Sequence, residues 1–150
     1  MKSFSHLNAR GEANMVDVSA KRPASRQAVA RGEILLRPAT LAAVKTNKTA
    51  KGNVLATARV AGILAAKKTG ELIPLCHPLN IAHCAVEFEI PPAGDRVVIT
   101  ATARVRAATG VEMEALTAVA VAALTIYDMC KGLDKTMRIT NIVLLSKTKI

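Results

Sequence analysis

The sequence predicts an α+β fold of ferredoxin-like type, an antiparallel sheet with helices on one face, assembled as an oligomer. Three observations carry this. A chain of 150 residues with 51% apolar content can bury one sizeable core and leaves little room for a second. Its periodic segments run in the order strand, helices, strand, strand, helix, strand. One helical segment is apolar on every side, so a single layer of sheet cannot bury it alone.

The first element is a strand over residues 27–36, after which Pro38 opens a short helix, where a proline costs no hydrogen bond. "GNVLATARVAGILAAKKTG" reads as a second helix with Asn53 as N-cap, Lys67 and Lys68 in the last turn and Gly70 beyond its end. "IAHCAVEFEI" and "RVVITATARVRA" are strands joined by the turn "PPAGD". "GVEMEALTAVAVAALTIYDMCKG" follows as a helix; Thr109 and Glu112 have capping-box spacing and Gly132 is placed to stop it. A strand over residues 137–145 closes the chain. Residues 1–150 are expected to form one domain, with about residues 1–20 a mobile arm around a short extended "MVDVS".

The longest uncharged run, residues 115–127, has 13 residues, which suits a core helix better than a bilayer span of about 20. The stretch 1–14 carries charges and no apolar signal region. Cys76, Cys84 and Cys130 are odd in number and lack C-x-x-C spacing, so neither a disulfide framework nor a zinc site is expected. His6 and His83 add no metal-ligand spacing. A cytoplasmic protein without metal or membrane partner is expected.

A formal charge of +10 points to an anionic partner. With Phe4, Phe88 and Tyr127 as the only aromatics, bases have almost nothing on which to stack, which argues against sequence-reading RNA modules. A basic module that binds a nucleotide or duplex nucleic acid without turnover stays open, because phosphate contacts need no aromatics.

Asp128 stands in the last turn of its helix, where a carboxylate faces the negative end of the helix dipole. Lys131 lies three residues on and can compensate. The pair is either an exposed ion pair worth little or a buried one that serves proton transfer. Glu112 and Glu114 fit a structural role, since acids belong in a first turn. "TNKTAKGN" puts Lys51 just before a helix N-terminus, where it is either a solvated loop lysine or part of a phosphate cradle; no Walker A loop is present. "LIPLCHPLN" fixes Cys76 and His77 between two prolines, a stiff loop suited to positioning chemistry.

Together "MVDVSAK", "KGNVLATARVAGI", "LIPLCHPL" and "TGVEMEALTAVAVAALTIYDMCKG" closely resemble the cyclic pyranopterin monophosphate synthases of molybdenum cofactor biosynthesis, the MoaC family. The likeness covers about residues 10–147. It implies a cofactor-free lyase acting on a cyclised dihydro derivative of GTP and releasing pyrophosphate. Carried over residue by residue, it implies Asp128, Lys131 and Lys51 as catalytic residues, with lysines of depressed pKa as acid and base. It places substrate contacts at Leu75, Cys76, His77, Glu112, Met113 and Glu114, and phosphate-holding roles are assigned to Lys21 and Lys147. It further implies a homohexamer, a trimer of dimers, with sites at the dimer interface. The family pattern continues after the last strand into a glycine-rich tail, whereas "LLSKTKI" keeps Lys147 and Thr148 and no glycine follows them.

Overall fold

The computed structural model describes residues 5–150, so residues 1–4 of the expected arm, with Phe4, lie outside the described residues. In chain order the elements are β1 (Ala24–Leu35), α1 (Pro38–Lys45), α2 (Val54–Lys67), α3 (Thr69–Leu72), β2 (His83–Glu89), β3 (Arg96–Ala107), α4 (Glu112–Cys130) and β4 (Arg138–Lys149). The four strands form one antiparallel sheet in the order β2-β3-β1-β4. The α+β class and the element order agree with the sequence reading.

Helix α4 packs across β1 and β3, and α2 lies beside it over β2. Small residues make that approach close. Ala115, Ala118, Ala122 and Ala123 of α4 are fully buried, as are Ala28, Ala30, Ala101 and Ala103 of the sheet. A Cβ at Gly62 of α2 would stand 2.9 Å from the Ala118 carbonyl, so this crossing tolerates no side chain. Ile126, Ile34 and Ile99 fill the remaining volume. Truncating a buried side chain of that size costs about 2–5 kcal/mol. By length and composition α4 is apolar enough to cross a membrane, yet here its buried face forms the domain core.

Local signals explain part of this. Pro38 does occupy the first turn of α1, and the Asn53 side chain accepts the Ala56 N–H at 3.0 Å as an N-cap. In the β2–β3 connection the Gly94 N–H bonds to the Pro91 carbonyl, with Gly94 at φ +66°.

Four boundary expectations need correction. β1 starts three residues early because Ala24 and Ser25 pair with Ala107 and Arg106 of β3, and β4 runs on to Lys149 because Thr148 and Lys149 pair with Gln27 and Arg26. Backbone pairing carries these polar ends, which have no apolar alternation to reveal them. Gly70 does lie beyond the end of α2, within α3, where the Thr69 hydroxyl bonds to the Ala65 carbonyl and the chain turns into a new short helix. The capping box does not form: the N-cap of α4 is Val111, without a side-chain cap, and Glu112 turns to Lys147 instead. Gly132 does not stop the helix with a left-handed residue, since the positive-φ glycines are Gly11, Gly52 and Gly94. The Cys130 carbonyl instead takes the N–H groups of Leu133 and Asp134 at 2.8 and 3.1 Å.

Candidate active site

The start and the end of α4 each carry a cluster of the residues picked out from the sequence. At the start lies a cavity of about 390 Å³. The loop after α3 supplies Leu75, Cys76 and His77; the first turn of α4 supplies Glu112, Met113 and Glu114; Lys21 closes it from the arm. All seven were singled out in the sequence, from three segments that only the fold brings together. Lys147 joins them through Glu112: its Nζ donates to Glu112 Oε1 at 3.2 Å, and both line an adjoining hollow of about 200 Å³ with Arg26 and Thr148.

The stiff loop at 74–78 is seated on a glycine. A Cβ at Gly70 would come 2.9 Å from the Pro78 Cα and 3.2 Å from the His77 carbonyl oxygen. His77 in turn holds the arm, because its Nε2–H donates to the Val16 carbonyl at 2.6 Å. A carbonyl only accepts, so that nitrogen carries the proton. Burial pushes the Glu114 carboxyl above its ordinary value, and the negative charge of Glu112 adds to this. The Cys76 thiol is raised by burial and by Glu114. The cavity thus holds a carboxyl that takes up a proton more readily than a free one, beside a thiol held in its neutral form.

At the other end of α4, Asp128 receives two ammonium groups. Lys131 Nζ donates to its Oδ1 at 2.8 Å, and Lys51 Nζ to its Oδ2 at 2.7 Å and to its backbone carbonyl at 3.1 Å. Lys51 gets there from the loop before α2, where the Thr49 hydroxyl bonds the Gly52 carbonyl at 2.6 Å and Gly52 adopts φ +88°. Hydrogen bonds from Lys131 and then Lys51 hold the Asp128 carboxyl at about 2.

Three of the readings fail here. The buried form of the Asp128–Lys131 pair is not what the fold shows, since the side chains are 56% and 58% exposed. Lys131 is not depressed in pKa; its hydrogen bond to Asp128 pushes it up, because an adjacent carboxylate stabilises the ammonium. The phosphate-cradle geometry for Lys51 is also not seen, as its ammonium points to the end of α4.

The two clusters do not meet within one chain. Glu112 and Asp128 are sixteen residues apart on a continuous helix, which at a rise of about 1.5 Å per residue separates them by about 24 Å. Sequence reasoning also missed several cavity residues. Ser5, His6, Val16 and Val18 of the arm line the wall, as do Leu79, Thr109 and Gly110. Val16 acts through its backbone carbonyl, a contact no side-chain pattern encodes. Gly110 had a detectable signal, a glycine two residues before an acid, and a Cβ there would overlap the Glu112 carboxylate.

Comparison with known proteins bears on the same residues. The MoaC family model matches residues 15–149. The cyclic pyranopterin monophosphate synthase of Chloroflexus aurantiacus is 58% identical over 144 residues, covering 96% of this chain and 88% of its own. That of Rhodospirillum rubrum is 58% identical over 145 residues, covering 97% and 87%. That of a Nostoc species is 55% identical over 146 residues, covering 97% and 87%. With the family pattern running through the arm, both α4 clusters and β4, this chain belongs to the MoaC family.

Proposed function

We propose that this chain is a cyclic pyranopterin monophosphate synthase, converting 3',8-cyclo-7,8-dihydro-GTP to cyclic pyranopterin monophosphate with release of pyrophosphate. The observation that carries this is the gathering of Lys21, residues 75–77 and residues 112–114 around one cavity, in a chain 58% identical to relatives of that name. Opening the ring C–N bond, closing the pyrazine ring and attack of a hydroxyl on the α-phosphate each move a proton. Asp128 is ionised throughout the physiological range and keeps Lys131 an ammonium. Lys131 and Lys51 therefore serve first as acids toward developing negative charge, and Asp128 orients both. Lys21 and Lys147 hold the triphosphate and stabilise departing pyrophosphate.

The complete site is a composite of two subunits. The cavity at the start of one α4 faces the Asp128 cluster at the end of its partner, related by a two-fold axis. The apolar residues α4 and α2 leave at the surface support such a partner: Leu124 is 57% exposed, as is Val60. Three such dimers make the hexamer. The strand order, read as β4-β1-β3-β2, supports the ferredoxin-like description. Residues 1–150 act as one unit in the cytoplasm.

The test is pyrophosphate release from the cyclised GTP substrate, measured together with the pterin product. Both should appear in a one-to-one ratio. No release from verified substrate, alongside steeply salt-dependent binding of duplex DNA, would return the chain to the class of basic binding modules.

A further inference from the structure

We propose that Asp134 is a positioning residue for the reaction, fixing the turn from which Lys131 reaches Asp128. This rests on Lys131 being catalytic, as proposed above. Asp134 follows Lys131 by three residues and has no exposed surface. A buried carboxylate is costly unless its lone pairs are filled, and here both oxygens are. Its Oδ1 accepts the Thr136 N–H at 2.8 Å and the Thr136 hydroxyl at 2.7 Å, with the Arg37 Nε at 3.4 Å. Its Oδ2 accepts the Arg37 N–H at 2.8 Å and lies 3.4 Å from the Thr40 hydroxyl.

These partners say what the carboxylate is for. Arg37 is the N-cap of α1 and its own side chain makes no cap bond, so Asp134 satisfies the start of that helix from across the fold. The Arg37 guanidinium also donates to the Leu133 carbonyl, gripping the same turn from the other side. Lys131 is the first residue of that turn, held at one end by α4 and at the other by Asp134. Burial alone would raise the Asp134 carboxyl, yet the hydrogen bonds from Arg37 and Thr136 hold it at about 2, so the clamp stays charged at any working pH. A long, exposed lysine gains little from an ion pair unless its backbone is fixed in advance. The turn supplies that constraint for Lys131.

Asp134→Asn tests this, because one carboxamide end must present N–H groups to the N–H of Thr136 or of Arg37. Thr136→Val is the milder variant, losing one hydroxyl. Two readouts are made on protein with a cooperative melt: steady-state kinetics with the cyclised GTP substrate, and trace acetylation of lysines by mass spectrometry, with Lys131 scored against the exposed Lys68. Asp134→Asn should raise the Lys131-to-Lys68 ratio roughly two- to fivefold, the span of an exposed ion pair lost. It should lower kcat about tenfold or more, as small misplacements do, with KM within about twofold. Thr136→Val should move both in the same direction by less. An unchanged ratio in folded protein overturns the proposal even if activity falls, since Asp134 is then only structural; an unchanged kcat overturns it also. If Asp134→Asn does not fold, Thr136→Val decides on the same readouts. If wild-type protein releases no pyrophosphate, the enzymatic reading has failed, and an unchanged ratio still refutes the clamp on its own.

Discussion

Lys51 and Asp128, 77 residues apart in sequence, meet at 2.7 Å, so one carboxylate holds two ammonium groups from different elements. That carboxylate is exposed and lies outside the core. Asp128→Asn keeps the shape and removes the charge that holds both lysines. Turnover should fall by about 10²-fold or more, the scale of a lost proton-transfer group, with Tm nearly unchanged. Lys51→Ala should behave alike and should not regain activity when ionic strength is raised, since salt does not replace a placed donor. Wild-type kinetics in either folded variant removes the assignment.

The separation of about 24 Å along α4 makes a second test decisive. Glu112→Ala and Asp128→Ala should each be inactive as homo-oligomers. Unfolded and refolded together in equal amounts, they give mixed dimers in which one site carries both lesions and the other carries none. Random pairing should then restore roughly a quarter of wild-type activity. No recovery, with subunit exchange confirmed by mass, means that each site lies within one chain.

Gly70 should control substrate affinity without touching substrate. A Cβ there meets the backbone of Pro78 at 2.9 Å, so Gly70→Ala must shift the loop carrying Cys76 and His77. KM should rise several-fold, on the order of 1 kcal/mol of lost binding, while kcat changes less. An unchanged KM would show that the loop absorbs the methyl group elsewhere.

Stability should depend on acid pH through Asp134. Its folded value of about 2 lies below the ordinary 3.8, so its contribution is present above about 3.8 and is lost as pH falls through about 2. The size is on the order of 2 kcal/mol. Urea unfolding of wild type and Asp134→Asn between pH 6 and 2 should give a difference that is constant above about pH 4 and narrows below it. A gap that stays constant down to pH 2 would assign the effect of Asp134 to packing, not charge.

Periodicity and punctuation were enough to read the order of elements, the Asn53 cap and the Pro38 start, because these depend on neighbours in sequence. The end of β4 was not legible: "SKTK" looks like a polar tail, and only its ladder with Arg26 and Gln27 makes it a strand. Glu112 misled for a related reason. The capping-box spacing is satisfied by sequence, but Lys147, 35 residues away, offers a full charge and takes the carboxylate. At the site, Asp128, Lys131 and Lys51 stood out from their places against a helix dipole, while their catalytic roles came from the family likeness. The Lys51–Asp128 contact and the Asp134 clamp required the fold, since each joins segments more than 75 residues apart.

The final strand has a practical bearing on how the protein is handled. Lys147, Thr148 and Lys149 line the hollow beside Glu112, and the Ile150 N–H is hydrogen-bonded to the Ser25 carbonyl at 2.8 Å. Whatever is joined after Ile150, whether further native residues or a purification handle, emerges at the rim of that hollow. A tag fused there would crowd Lys147 and pull on the edge of the sheet, so activity lost in such a fusion would reflect its point of attachment.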